Sequence, residues 1–474
     1  MLNEEKQNYQ QEENQLLQTI LDYRFFTPWS YELCDQYSLK NDAGLELYLT
    51  NQCNQRCTYC YLTQFPDLYP QDCLNQQLIL DNLKMIYEWL LEKGYSIPKV
   101  EFFSGEIWHT PFGYKVLDLT LDYLHKGMNI NMFLVASNFS FILDEKATAK
   151  IHSYVQRFDD CGHPLVFSCS CDGKIIEEIS RPAANGKTKP DEFWDKLFDF
   201  CKVNSFWFHP MIAANNVAYW CENYDWWMEQ CKKYNLPIKR VVNMLEVRNN
   251  DWTEQSIKDY CKFIDHLMNL YLQECNNDIK LYAQRIMHLR DAGLNINENF
   301  FESGYCPINI GQVDTFPGCT VATDLTIRVG DLAICPCHRT AYNKYLYGHL
   351  TTEDGRITGL QAANVNMAIK TLFSNITMCW PGCDTCLFNE TCLHGCLGSQ
   401  IESTGDPFFP AESVCAFFKA KYAHILLRYE ELKIIDYLRT FTPYERDYDM
   451  AQHILRVYDK WVEEGKPYVL AESK

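Results

Sequence analysis

Cys53-Asn54-Gln55-Arg56-Cys57-Thr58-Tyr59-Cys60 places three cysteines on one short stretch, directly behind the alternating run Leu45-Glu46-Leu47-Tyr48-Leu49. Alternation with period two marks a strand, so the cysteines fall in the loop at a strand's C-terminal end. Three thiolates on such a loop hold three irons of a [4Fe–4S] cube and leave the fourth iron open. A zinc knuckle is the competing reading. A structural zinc site takes four ligands, usually from closely spaced pairs, and no fourth Cys or His follows closely here. Ligand number and position favour iron–sulfur.

C-x3-C-x-aromatic-C after a first strand resembles the cluster motif of radical S-adenosylmethionine (SAM) enzymes. The resemblance implies that the open iron chelates SAM and that one electron splits it to a 5′-deoxyadenosyl radical, which takes a hydrogen atom from the substrate. It also implies that Tyr59 packs against adenine. A low-potential reductase, flavodoxin or ferredoxin is the implied electron donor.

The rest of the chain fits a catalyst of this size. Its 474 residues allow two or three domains and 47% are hydrophobic, so it reads as globular. The 43 Lys and Arg against 62 Asp and Glu leave a net charge of −19, which disfavours nucleic acid and anionic membranes as partners. The start, Met1-Leu2-Asn3-Glu4-Glu5, lacks a signal-peptide pattern and no apolar run is long enough to span a bilayer, so the expected location is the cytoplasm. There are 23 cysteines. In a reducing compartment, metal or catalytic roles explain them better than disulfides.

Residues 1–43 read as an extension with one amphipathic helix over Asn3–Phe26, stopped at Thr27-Pro28. It looks short for the leader-binding domain that peptide-modifying relatives carry. From 44 to 252, strand candidates at 45–50, 99–103, 130–135, 165–170, 206–213 and 238–244 alternate with helical stretches such as 75–93, 112–126, 144–157 and 191–203. Such alternation means a parallel sheet with right-handed crossovers, and six units match the partial (β/α)6 barrel of the radical SAM family. Chemistry in these barrels gathers at the C-terminal strand ends. Residues 253–305 read as linking helices, 306–418 as a cysteine-rich domain and 419–474 as a helical tail.

Strand ends carry further signals. Ser104-Gly105-Glu106 resembles the family's Gly-Gly-Glu motif, whose glutamate and backbone hold the SAM amino group; Ser104 replaces the first glycine. Ala136-Ser137-Asn138 offers Asn138 to ribose or carboxylate oxygens. Ser170-Cys171-Asp172-Gly173, with Arg181 beyond it, resembles a SAM-contacting strand end in which the arginine pairs with the methionine carboxylate. Asn215, in Ala214-Asn215-Asn216, covers SAM in the same scheme; a capping or turn role is the alternative. Cys169 and Cys171 read as packing residues, as do Trp220, Trp226 and Trp227, for which a substrate platform is the alternative.

A second constellation runs Cys319, ten residues, Gly330, four residues, Cys335, then Cys383-x2-Cys386-x5-Cys392-x3-Cys396 and Cys415. It resembles the seven-cysteine SPASM extension of radical SAM enzymes. The resemblance assigns Cys306, Cys319, Cys335 and Cys396 to one auxiliary [4Fe–4S] cluster and Cys383, Cys386, Cys392 and Cys415 to another, making three clusters in all. Cys337 and Cys379 are substitutes for Cys306. Two four-thiolate zinc sites are the structural alternative. Residues 325–334 read as a hairpin that brings Cys319 and Cys335 together.

The family implication is a maturase that crosslinks a ribosomally made precursor peptide through a thioether or carbon–carbon bond. Alternatives are a radical dehydrogenase or epimerase of a small molecule such as a sugar, and a non-catalytic electron carrier. Sulfatase-maturing relatives place an acidic base directly after the second hairpin cysteine. Pro336 stands there, which disfavours that chemistry and leaves Asp324 and His338 as candidate bases.

Overall fold

The computed structural model describes residues 2–26, 44–70, 74–103, 105–204, 206–288, 310, 324–372, 381–392, 395–444 and 448–470. Its strands are β1 (Gly44–Tyr48), β2 (Ser96–Phe103), β3 (Asn129–Ser137), β4 (Leu165–Cys169), β5 (Trp207–Phe208), β6 (Met211–Ile212), β7 (Leu245–Glu246), β8 (Asp324–Arg328), β9 (Ala333–Cys335), β10 (Gly348–Glu353) and β11 (Arg356–Ala362). The chain divides into two compact units. One comprises Met1–Ser170, Pro182–Phe206 and Thr320–Asn375; the other comprises Cys171–Arg181, Trp207–Cys319 and Ile376–Lys474.

In the first unit the strands lie in the order β11-β10-β9-β8-β1-β2-β3-β4. β1 to β4 and β8 run parallel, and β9 to β11 add an antiparallel meander. The expected helices connect the parallel strands: Gln76–Lys93, Phe112–His125 and Glu145–Asp160, with Asp191–Val203 after β4. Asn75 and Asp144 cap two of them through their side chains, and Gly94 in the left-handed region ends the first.

Register explains which side of the sheet carries chemistry. Leu45, Val100 and Leu325 share one rung, and Leu47, Phe102 and Ile327 another; all six are buried, as a face covered by crossover helices requires. The opposite face carries Gly44, Lys99 and Asp324, then Glu46, Glu101 and Thr326, then Tyr48, Phe103 and Arg328. β8 thus extends the free edge of β1 with a third polar column. On β4, Leu165, Phe167 and Cys169 are buried while Val166 and Ser168 are half-exposed, so Cys169 packs as its alternation with Ser170 predicts. The N-terminal helix Leu2–Phe26 shields the edge of β11: Gln10 donates to the Ala362 carbonyl at 2.9 Å and Asn14 accepts from its N–H at 2.8 Å.

The second unit departs from two expected strands. The stretch 206–213 breaks at His209-Pro210 into β5 and β6, because proline has no N–H for a ladder. The strand expected at 238–244 is a correction. Ile238–Val241 is a helical turn started by Pro237, and the strand is β7, three residues later, pairing parallel with β6. Around them pack Glu254–Glu274, which opens on a Thr253–Ser256 capping box, and the tail helices Glu412–Glu431 and Tyr448–Glu463. Trp220 and Trp227 are fully buried in this unit, with indole N–H groups on Asn216 Oδ1 (3.0 Å) and the Asp172 carbonyl (3.3 Å), so they are packing residues. Among the described residues, no helix is long and apolar enough to cross a membrane.

Candidate functional site

The cysteine loop leaves β1 at its C-terminal end. Cys57 is buried, and Cys53, Tyr59 and Cys60 are half-buried. The Gln55 N–H donates to Cys53 Sγ at 3.4 Å. The loop is pinned by backbone pairing with the segment after Arg181: Arg56 N–H reaches the Pro182 carbonyl and Ala184 N–H the Asn54 carbonyl, each at 2.8 Å.

β2 delivers Gly105 and Glu106 to the same end; Ser104 lies outside the described residues. Gly105 N–H bonds the Thr50 carbonyl and Glu106 N–H the Gln52 carbonyl, both at 2.8 Å. A Cβ on Gly105 would overlap the backbone of Asn51 and Gln52, so only glycine lets this strand end approach the cysteine loop. The Glu106 carboxylate is buried. It accepts from Trp108 N–H (3.2 Å), Ser137 Oγ (3.0 Å) and Asn138 N–H (2.6 Å). Asn138 Nδ2 donates in turn to Asn54 Oδ1 at 2.8 Å, beside Cys53. Glu106 and Asn138 therefore brace the ends of β2 and β3 against the loop.

His338, just past β9, joins this mouth. Its ring stacks on Phe103, the last residue of β2, with centroids 3.7 Å apart, and lies 6.0 Å from the ring of Tyr61. Nδ1 and the backbone N–H of His338 each sit 2.9 Å from a Glu46 oxygen, and Thr326 Oγ1 donates to the same carboxylate. Burial alone would lower the His338 pKa, but the Glu46 carboxylate overcomes it and holds the imidazole above its ordinary value. Conversely, burial would raise Glu46, and the imidazolium with its hydrogen bonds holds it below the ordinary range. Sequence reasoning passed over Glu46, although a carboxylate at the middle of an otherwise apolar strand was the available signal.

Asp324 sits opposite Gly44 at the N-terminal ends of β8 and β1, buried, accepting from Gly44 N–H at 3.1 Å and 3.7 Å from Lys99 Nζ. Four strand steps, roughly 13 Å, separate that level from Tyr48.

In the second unit, Asp172 and Arg181 are both buried and face each other at 3.8 Å, with Glu177 4.0 Å from Arg181. Asp172 Oδ1 also accepts from Met211 N–H at 2.9 Å. Gly173 has φ +106°, a conformation the Asp-Gly turn requires of glycine. Burial and the nearby Arg181 charge push His209 down to about 4, so it stays neutral. Asn215 is exposed, whereas its neighbour Asn216 is fully buried and holds the turn through Ala213 N–H, the Met211 carbonyl and Ser180 Oγ.

Cys383, Cys386, Cys392 and Cys415 line one cavity of about 250 Å3, together with Phe388, Phe418, Lys419 and Gln400. Burial and the neighbouring Cys415 and Cys386 thiolates push Cys383 up to about 11, and burial raises Cys415 too. Among the described residues no three His, Cys, Asp or Glu side chains are grouped to hold a single metal ion. Four thiols on one cavity are the donor set that either a four-iron cluster or a structural zinc takes. Cys335 closes β9 in the first unit and Cys396 precedes the helix Leu397–Thr404 in the second; Cys306, Cys319 and Cys379 lie outside the described residues. Cys337 is buried, with its sulfur 3.5 Å from Thr340 Oγ1 in its own turn.

No family model and no curated protein matches the sequence. Solved structures do match the fold. "Native anSMEcpe with bound AdoMet" aligns with a TM-score of 0.52 at 14% identity, covering 83% of this chain and 98% of that one. "Native anSMEcpe with bound AdoMet and Cp18Cys peptide" aligns at 0.51 and 15% identity, covering 83% and 98%.

Proposed function

We propose that this chain, whose fold is that of a radical SAM enzyme with a SPASM extension, cleaves SAM at the Cys53–Cys60 loop and oxidatively modifies a peptide. The observation that carries the proposal is the convergence, at the C-terminal ends of β1 and β2, of the three-cysteine loop, Gly105-Glu106 and the His338–Glu46 pair.

Cys53, Cys57 and Cys60 would hold a [4Fe–4S] cluster whose electron would split SAM, and Cys383, Cys386, Cys392 and Cys415 would hold one that would accept the second electron of a two-electron oxidation. The chain's own residues do the rest. Gly105 lets β2 close on the loop. Glu106, Asn138 and Asn54 hold its entry in one place. Tyr59, Ser170, Asp172, Arg181 and Asn215 are the SAM contacts that the family pattern assigns. In thioether formation the peptide loses one hydrogen as an atom, to the 5′-deoxyadenosyl radical, and one as a proton from its thiol. His338 receives that proton at Nε2 from its neutral form, in which Glu46 accepts from Nδ1–H.

A peptide substrate is favoured because a solved structure of this fold holds one, "Native anSMEcpe with bound AdoMet and Cp18Cys peptide". The same likeness supports a second reading, formylglycine formation on a sulfatase. Pro336 in place of the acidic residue weighs against it, and His338 is the base proposed for it at this mouth. A flavodoxin or ferredoxin is the proposed donor, and the cytoplasm the proposed location. The test is anaerobic incubation with SAM, a reductant and a small peptide encoded beside this chain. A crosslinking maturase gives a mass loss of two hydrogens. A sulfatase peptide converted to an aldehyde would establish the second reading, and no change in any peptide would return the small-molecule alternative.

A further inference from the structure

Gln400, on the helix Leu397–Thr404, is the one polar side chain in the four-cysteine cavity that is fully buried, at 0% exposure. Neither its Nε2 nor its Oε1 has a hydrogen-bond partner. A buried amide left in that state is costly, and native proteins keep one when a group bound at the site completes it. The cavity's four thiols surround the space this amide borders, and a group they hold completes it.

We infer that Gln400 donates an N–H···S hydrogen bond to the cluster on Cys383, Cys386, Cys392 and Cys415 and raises its reduction potential. This rests on the reading of those cysteines as cluster ligands. Reduction adds negative charge to the cluster sulfurs, and a fixed N–H donor in a low-dielectric pocket stabilises the reduced form more than the oxidised one. Gln400 is a positioning and tuning residue; it ligates no iron.

The experiment is a redox titration of the full-length, iron- and sulfide-reconstituted chain, followed by electron paramagnetic resonance. The signal of interest is the one lost in Cys383→Ala. Gln400→Leu keeps the side-chain volume and removes the donor. The expected result is unchanged iron and a roughly tenfold weaker reduction equilibrium, about 59 mV lower for one electron. Unchanged iron with an unchanged potential overturns the role of Gln400 and leaves the cluster reading standing. A wild-type chain with no Cys383-dependent iron overturns the cluster reading itself. A second measurement does not depend on the variant folding. Spin-echo spectra of wild-type protein carrying side-chain 15N-glutamine should show one 15N coupling on that signal, and its absence refutes the hydrogen bond.

Discussion

Lys421→Met should destabilise the second unit sharply. Lys421 Nζ lies 2.7 Å from Glu246 Oε1, and the two side chains are 2% and 1% exposed. Tyr260 OH donates to the same oxygen at 2.5 Å. Lys421 shares the helix Glu412–Glu431 with Cys415, and Glu246 ends β7, so the pair ties a proposed cluster ligand's helix to a strand end. Removing the cation strips a buried carboxylate of its counter-charge, a loss of about 3–5 kcal/mol. At roughly 2–4 °C per kcal/mol for a domain of about 150–250 residues, the melting temperature falls by about 6–20 °C. The double change Lys421→Met with Glu246→Leu removes both charges and takes an acceptor from the Tyr260 hydroxyl, costing about 1–3 kcal/mol. The double variant should therefore be more stable than either single one. Anaerobic thermal melts of iron-loaded proteins test this. A single variant that melts within about 1 °C of wild type, or a double variant no better than the worse single, would refute the reasoning.

Other predictions concern the mouth of the sheet. The raised pKa of His338 gives stability that is intact below the ordinary value of 6.5 and lost as pH climbs through the folded value. The lowered pKa of Glu46 gives stability that is intact above 4.5 and lost as pH falls. Wild type should exceed His338→Gln most between those values, and the gap in denaturant midpoint should shrink as the medium turns alkaline; a constant gap would exclude a protonated pair. Gly105→Ala should cost most of the SAM cleavage rate and loosen iron in the loop, because its Cβ meets the Asn51–Gln52 backbone; an active, iron-replete variant would show that the close approach is dispensable. Cys383→Ala should remove about four irons per chain while SAM cleavage persists, as measured by iron assay and 5′-deoxyadenosine release.

Local patterning made much of the first unit legible. The alternation of Leu45 to Leu49 and the capped helices Gln76–Lys93 and Glu145–Asp160 fall where period and caps place them. The fifth and sixth strands were harder to read. Pro210 and Pro237 cut runs whose apolar composition alone says strand, and a two-residue pairing such as β6 with β7 leaves almost no periodic signal. At the site, cysteine spacing identified the ligand candidates because thiolate chemistry depends on residue type and local spacing. Brace and base depend on tertiary placement. Only β1–β8 register separates Asp324, at the N-terminal strand ends, from His338, stacked on Phe103 at the C-terminal end of β2. Gln400 carries no motif, and its meaning appears only when its buried, unpartnered amide is found lining the same cavity as the cysteines.

The most direct test is SAM cleavage by the anaerobically reconstituted chain with dithionite, read as 5′-deoxyadenosine by mass spectrometry. The account predicts release by the wild type and none by Cys57→Ala. An iron-replete wild type that leaves SAM intact, or a Cys57→Ala protein that cleaves it equally well, would contradict it.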